Sequence, residues 1–193
     1  MKLTDLQYVP SLDLLAPQAL FRIQRTHARP GTVRLGRVLL PPSHLMTGRF
    51  DIDDQPVGYF AESPETAVYE VLCRREALAL SMSELARRNL LCVQTKVPLN
   101  LLDLRPHAQS WPVLQSLRFP ITQALAKDAH DQGFSGIAYR SAQHYAMDCY
   151  ALFGDALKTL KAAWSESLLE PGTGNLHGAV AAALLGSKVP LTT

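Results

Sequence analysis

The spacing of apolar residues changes period several times along the chain, and each change predicts an element. Val33 to Leu40 reads as an early strand, with Val33, Leu35 and Arg37 alternating against Arg34, Gly36 and Val38. Val57-Gly-Tyr-Phe-Ala61 is short and β-prone and stops at Glu62-Ser63-Pro64, a strand running into a helix start. Ser63 suits the N-cap, and Pro64 suits the first helical position, where a missing N–H costs nothing. The helix is predicted to run through about Leu80, with Ala67, Val68, Val71, Leu72, Leu78 and Ala79 on one face. Leu91, Val93, Thr95 and Val97 alternate with Cys92, Gln94 and Lys96, the pattern of a half-buried strand ended by Pro98. Pro120 to Gln132 predicts a second helix that buries Ile121, Ala124, Leu125 and Ala129 and ends at Gly133. Residues 134–139 and 150–153 are further strands, and 175–185 a terminal helix closed by Gly186. Strands and helices intersperse without regular βαβ alternation, so the expected class is α+β with a mixed or antiparallel sheet.

Punctuation at Glu170-Pro-Gly-Thr-Gly174 divides a body, residues 1–168, from a linker and short helix, residues 169–193. The 193-residue length suits one domain with a sizeable core, and 47% apolar with 19% charged residues excludes a disordered chain. The longest wholly apolar stretch, Ala179 to Leu185, is too short to cross a bilayer, and the N-terminus carries no h-region. A cytoplasmic location without membrane contact is the expectation. Three separated cysteines and six scattered histidines offer no C-x-x-C or H-x-x-x-H pair, so no metal site is expected and the cysteines fill core. The net charge of +2 says little, but residues 1–50 hold seven Lys or Arg against two acids, while residues 51–70 hold six acids and no Lys or Arg. Such a junction is two solvated faces or a site for a phosphorylated ligand beside a carboxylate.

Gly172-Thr-Gly174 begins like a dinucleotide fingerprint but lacks the third glycine and a preceding strand, and no P-loop or G-x-S-x-G occurs. What remains is a cluster of Gly48-Arg49-Phe50-Asp51, Tyr59 to Glu70, and Tyr139-Arg-Ser141. Taken singly, each has an ordinary explanation. Glu70 is a helix acid four residues before Arg74, a pair worth a few tenths of a kcal/mol. Arg49 is a loop arginine, Tyr59 an aromatic at a strand end, and Ser141 a turn residue.

Together they resemble the RES domain, named for an Arg, a Glu and a Ser. Gly48-Arg-Phe-Asp51 stands where that family usually shows Gly-Arg-Trp-Asn. Tyr59-Phe-Ala-Glu-Ser-Pro-Glu-Thr-Ala-Val-Tyr-Glu70 is similar to its most specific motif, Tyr139-Arg-Ser141 fits the Ser, and Ala151-Leu-Phe153 fits the following strand. Leu20-Phe-Arg22 resembles the family's other arginine, so the likeness spans roughly residues 18 to 160. It implies a fold related to ADP-ribosyltransferases, a mixed or antiparallel sheet core flanked by helices. It also implies a toxin of a toxin–antitoxin pair that inhibits growth by degrading NAD+, with an Xre-type helix-turn-helix antitoxin as partner and nucleic acid met only through that antitoxin. NAD+ is then a substrate, and no other cofactor is implied.

On this resemblance, catalysis falls to Arg49, Tyr59, Glu70 and Ser141, and ligand binding to Arg22, Arg49, Phe50 and Tyr59. Cleaving ribose C1′ from nicotinamide builds an oxocarbenium-like cation, which Glu70 is placed to stabilise. Arg22 and Arg49 grip the diphosphate, Tyr59 offers a ring to nicotinamide, Phe50 keeps an aromatic contact, and the Ser141 hydroxyl orients ribose or amide. The acceptor, water in a glycohydrolase or phosphate in a phosphorylase, is left open. So are two other functions: mono-ADP-ribosyl transfer to a macromolecule, with Glu62 or Glu65 as the second acid, and nucleic-acid binding through Arg22 to Arg37. The C-terminal helix packs on the body, closes over it as a lid, or serves an oligomer or antitoxin interface.

Overall fold

The computed structural model describes residue 3, residues 9–115 and residues 119–193. Along the chain run β1 (Ser11–Leu14), β2 (Ala19–Arg25), β3 (Val33–Leu35), β4 (Val38–Leu40), β5 (Val57–Ala61) and α1 (Pro64–Val71). Next come β6 (Leu80–Ser81), α2 (Met82–Ala86), β7 (Arg88–Thr95), β8 (Leu99–Asp103), α3 (Phe119–Asp131) and β9 (Gly136–Arg140). The chain closes with β10 (Asp148–Phe153), α4 (Gly154–Lys158), β11 (Leu160–Ser167), α5 (Gly178–Ser187) and β12 (Leu191–Thr192). Eight strands form one sheet in the order β1-β8-β9-β10-β5-β2-β7-β11, antiparallel throughout except for β8 beside β9. The expected α+β class with a mixed or antiparallel sheet flanked by helices is what the chain adopts, the sheet being mixed by its one parallel pair. Among the described residues, no helix is long and apolar enough to cross a membrane.

Strand alternation splits the core in two. Val57, Ala61, Ile137, Cys149, Ala151 and Phe153 face the layer made by α1, α3 and α5. Phe60, Leu91, Val93, Ala138 and Leu152 face the other way, toward α4 and the β3–β4 hairpin. One joint in the sheet is nearly unpaired. β2 runs beside β7 from Ala19↔Gln94 to Arg25↔Arg88, yet meets β5 only at Phe21↔Ala61. Beyond that pair the two strands part, and a cleft opens between them.

Several boundaries depart from the expectations. Residues 33–40 form a hairpin rather than one strand, because Gly36 takes φ +60° and reverses the chain. The first helix ends at Val71 instead of near Leu80. Its apolar stripe lapses over Arg74-Arg75-Glu76, Leu78 is 92% exposed, and Leu80 turns to pair with Leu191. β7 is buried on both faces from Leu90 to Val93 rather than half-buried, since Leu90 enters one core and Leu91 and Val93 the other. In α3 the buried residues are Thr122, Leu125, Ala126 and Ala129, while Ile121 is exposed, because the sheet meets the helix on a face rotated from the predicted one. Gly133 ends that helix at φ +87°, as expected.

Gly186 does not close the last helix. It lies inside α5, where a Cβ would come within 2.1 Å of the Tyr69 hydroxyl, and Lys188 supplies the left-handed cap. α5 packs against α1 with Val180 and Ala183 fully buried, so segment 169–193 shares the core of the body. The three cysteines are buried and free.

Candidate active-site cleft

The cleft between β2 and β5 has a volume of about 680 Å³, within the roughly 300–1,000 Å³ of small-molecule sites. Arg22, Arg49, Tyr59 and Glu70 all line it, although they come from β2, a loop, β5 and α1. The parted strands explain the position of Arg22. Where β2 no longer pairs with β5, its guanidinium donates to the Tyr59 carbonyl (3.0 Å) and, across the hairpin, to the Leu39 carbonyl (3.1 Å). Gln24 fastens the same hairpin, donating to the Arg37 carbonyl (2.9 Å) and accepting from the Leu39 N–H (3.0 Å). Burial lowers the Arg22 pKa to about 10. Among the described residues neither Arg22 nor Arg49 forms an ion pair, and the Nε of each is buried without a partner. Two arginines without a carboxylate partner among the described residues thus lie along one wall of the cleft, an arrangement whose charge suits an anionic ligand.

A tight turn presents Arg49. The Asp51 carboxylate accepts the Gly48 N–H (2.6 Å) and the Tyr59 hydroxyl (2.8 Å), while that hydroxyl accepts the Phe50 N–H (2.7 Å). Asp51 therefore spends its charge inside the turn. A Cβ on Gly48 would lie 2.4 Å from both Asp51 Oδ1 and the Tyr59 hydroxyl, so only glycine fits there. α3 holds the turn from outside: Gln123 donates to the Met46 and Gly48 carbonyls and Thr122 to the Arg49 carbonyl (2.6 Å). Burial, and then the Asp51 charge, push the Tyr59 phenol well above its ordinary pKa, so it stays protonated.

Glu70 faces the cleft from the last turn of α1. The cap expected at Ser63 is present, accepting the Thr66 N–H at 3.1 Å with Pro64 at the first turn. Glu70 is not paired with Arg74, which meets Glu76 instead at 3.4 Å. Its Oε1 accepts the Ser141 hydroxyl at 2.5 Å. Ser141 accepts in turn from the N–H groups of Gln143 (3.1 Å) and His144 (2.8 Å), at the start of a closed loop in which its own N–H bonds the Met147 carbonyl (2.8 Å).

Two expected roles change on this geometry. Ser141 is buried and does not line the cleft, which does not suit the expected direct contact with ribose or amide; its hydroxyl meets Glu70 instead. Phe50 is wholly buried, its ring 5.0 Å from that of Tyr139, so the expected ring contact with ligand is replaced by core packing. Neither Glu62 nor Glu65 lines the cleft, and Glu62 accepts the Asp148 N–H at 2.6 Å.

Sequence reasoning gave no role to three features. Tyr139 lines the cleft close enough to Glu70 for that charge to raise its pKa, after the larger effect of burial and that of Cys149. His144 braces the loop behind Glu70. Arg105 binds both Asp103 oxygens (2.7 and 2.8 Å) and Asp148 (2.7 Å), while Arg140 takes the other Asp148 oxygen (2.5 Å), and this network fixes the strand ends from which the loop springs. Tyr139 and Arg140 gave a sequence signal, since both stand beside Ser141 at the end of a β-prone run; His144 and Arg105 gave none.

Residues 19–169 match the protein family described as the RES domain. No curated protein matches the chain. Among solved structures, a chain of the crystal structure of the M. tuberculosis MbcT–MbcA toxin–antitoxin complex is similar in fold, with TM-score 0.60 at 16% identity. The match covers 81% of this chain and 86% of that one.

Proposed function

The chain belongs to the RES domain family, and from that premise we propose that it is the toxin of a toxin–antitoxin pair and destroys NAD+ by breaking the nicotinamide–ribose bond. One observation carries the chemistry: two arginines that form no ion pair among the described residues and a hydrogen-bonded carboxylate line the same cleft of about 680 Å³. A dinucleotide needs that polarity pattern, cationic at its diphosphate and anionic at the sugar that loses its base. The toxin–antitoxin pairing is supported by the similarity to the MbcT–MbcA complex, and an Xre-type antitoxin is the proposed partner.

In the reaction the C1′–N1 electron pair leaves with nicotinamide, whose positive ring becomes neutral and needs no proton. Positive charge grows on C1′ and the ring oxygen. Glu70, its Oε1 held by Ser141, is placed to stabilise that charge in a partly water-excluded site, where electrostatics acts most strongly. Arg22 and Arg49 anchor the diphosphate, and the Tyr59 ring supports the nicotinamide end. Water then attacks C1′ and loses its proton, giving ADP-ribose, or inorganic phosphate attacks and gives the ADP-ribose phosphate ester. Degradation is favoured over transfer to a macromolecule because, among the described residues, the only carboxylates along the cleft are Glu70 and Asp51, and Asp51 is engaged by Gly48 and Tyr59.

Incubating the purified protein with NAD+, with and without phosphate, tests the reading. Release of free nicotinamide with ADP-ribose or its phosphate ester is expected, and expression is expected to arrest growth. NAD+ left intact after prolonged incubation with folded protein refutes it.

A further inference from the structure

Glu70 sits in the final turn of a short helix, and a carboxylate there needs bracing if it is to meet a developing cation at a fixed distance. The loop of residues 141–147 supplies that bracing, and one of its side chains has no place in the chemistry described above. His144 does not line the cleft. Its Nδ1 lies 3.0 Å from the Thr66 hydroxyl, and its ring stacks on Tyr69 with centroids 4.2 Å apart and planes 20° apart. Thr66 and Glu70 are four residues apart in α1, hence on one face of the helix. Thr66 is fully buried and shares a further hydrogen bond with Ser63, the helix cap, at 2.8 Å.

The loop therefore grips α1 at two levels. Ser141 holds Glu70 itself, and His144 holds the turn below it, while the His144 N–H donates to the Ser141 hydroxyl oxygen. The loop is stiffened by the Met147 N–H to His144 carbonyl bond (3.3 Å) and by Arg140, which donates to the Ala146 carbonyl (2.6 Å). We infer that His144 is a positioning residue for Glu70: its side-chain hydrogen bond to Thr66 fixes the loop against α1 at the register in which Ser141 holds the carboxylate toward the substrate.

This inference rests on the NAD+-cleaving reading, and the test separates the two. His144→Ala removes the bond and the stack, whereas His144→Asn keeps a hydrogen-bonding atom at the place of Nδ1 and loses only the ring. Steady-state NAD+ cleavage is compared for wild type and both variants, each checked for folding by circular dichroism and thermal melting. The expected result is that His144→Ala lowers kcat on the order of tenfold or more with KM within about twofold, since a displaced catalytic group costs rate while the arginine grip is untouched. His144→Asn is expected to recover most of the lost kcat even though its melting temperature, without the stack, stays below wild type. A purely structural role predicts that activity follows melting temperature, and that outcome overturns the inference. Wild-type kcat in folded His144→Ala also overturns it, as does equal loss in both variants. If His144→Ala does not fold, a kcat for folded His144→Asn as low as that of Ser141→Ala overturns it, and a near-wild-type value supports it. An inactive wild-type protein removes the NAD+-cleaving reading and this inference with it.

Discussion

Replacing Arg22 by Met separates ligand binding from folding with unusual clarity. The guanidinium is charged at neutral pH in both the folded and the unfolded chain, but burial depresses its folded pKa below the ordinary arginine value, to about 10. At about 1.4 kcal/mol per tenfold change in acidity, the folded protein carries a penalty of roughly 3 kcal/mol for holding that charge. The sign follows from proton binding: the penalty is full below about pH 10 and fades as pH rises from there toward the ordinary arginine value. Against it stand two hydrogen bonds, to the Tyr59 and Leu39 carbonyls, each worth about 1.5 kcal/mol for a charged donor. Arg22→Met keeps the apolar stem, loses both bonds and removes the penalty, so its stability in urea at pH 7 should lie within about 1 kcal/mol of wild type. ADP-ribose binding measured by calorimetry should weaken by about 100-fold, the loss of one charge-assisted diphosphate contact of roughly 3 kcal/mol. A variant that keeps wild-type affinity for ADP-ribose sinks the anion-receptor argument. So does one destabilised by far more than 1 kcal/mol, which would make Arg22 a purely structural strut.

Glu70→Gln keeps shape and hydrogen bonding but not charge, so nicotinamide release should fall at least about 100-fold with little change in melting temperature; chromatography of the reaction mixture checks this. Asp51→Ala strips the acceptor from both the Gly48 N–H and the Tyr59 hydroxyl and should cost roughly 2 kcal/mol in denaturant unfolding, with Asp51→Asn in between. Burial tends to raise the Asp103 pKa, but its hydrogen bonds to Arg105 prevail and hold it below the usual carboxylate value. The stability this contributes is present above the unfolded pKa of about 4 and is lost as pH falls through the lower folded value. Urea midpoints measured down to pH 2 should show that loss, and Arg105→Met should flatten it.

Much of the site was legible in sequence because its motif combines local physics with chemistry. Ser63 caps and Pro64 opens a helix directly after β5, and that start puts Glu70 two turns on, beside the strand carrying Tyr59. What stayed hidden depends on partners distant in the chain. β2, β8 and β11 carry too little alternation to announce themselves, and become strands through the neighbours they pair with. Phe50 looks like a ligand-facing aromatic until Tyr139, far along the sequence, covers it. Gly186 looks like a helix stop, yet it is the space that Tyr69 occupies. The loop behind Glu70 had no periodicity to read, since its order comes from Arg140, Asp148 and Ser141 hydrogen bonds rather than from apolar spacing.

The near-absence of pairing between β2 and β5 also has a consequence for amide exchange. It divides the sheet into a five-strand leaf, β1-β8-β9-β10-β5, and a three-strand leaf, β2-β7-β11, joined along that line by one residue pair and one guanidinium. Each leaf is sealed by its own ladder, so deuterium should enter the two as separate cooperative blocks, soonest along the fissure. Across the fissure lies α1, which carries Glu70 and packs against both β2 and β5, so a ligand holding Arg22 and Glu70 together would slow exchange in both blocks in concert.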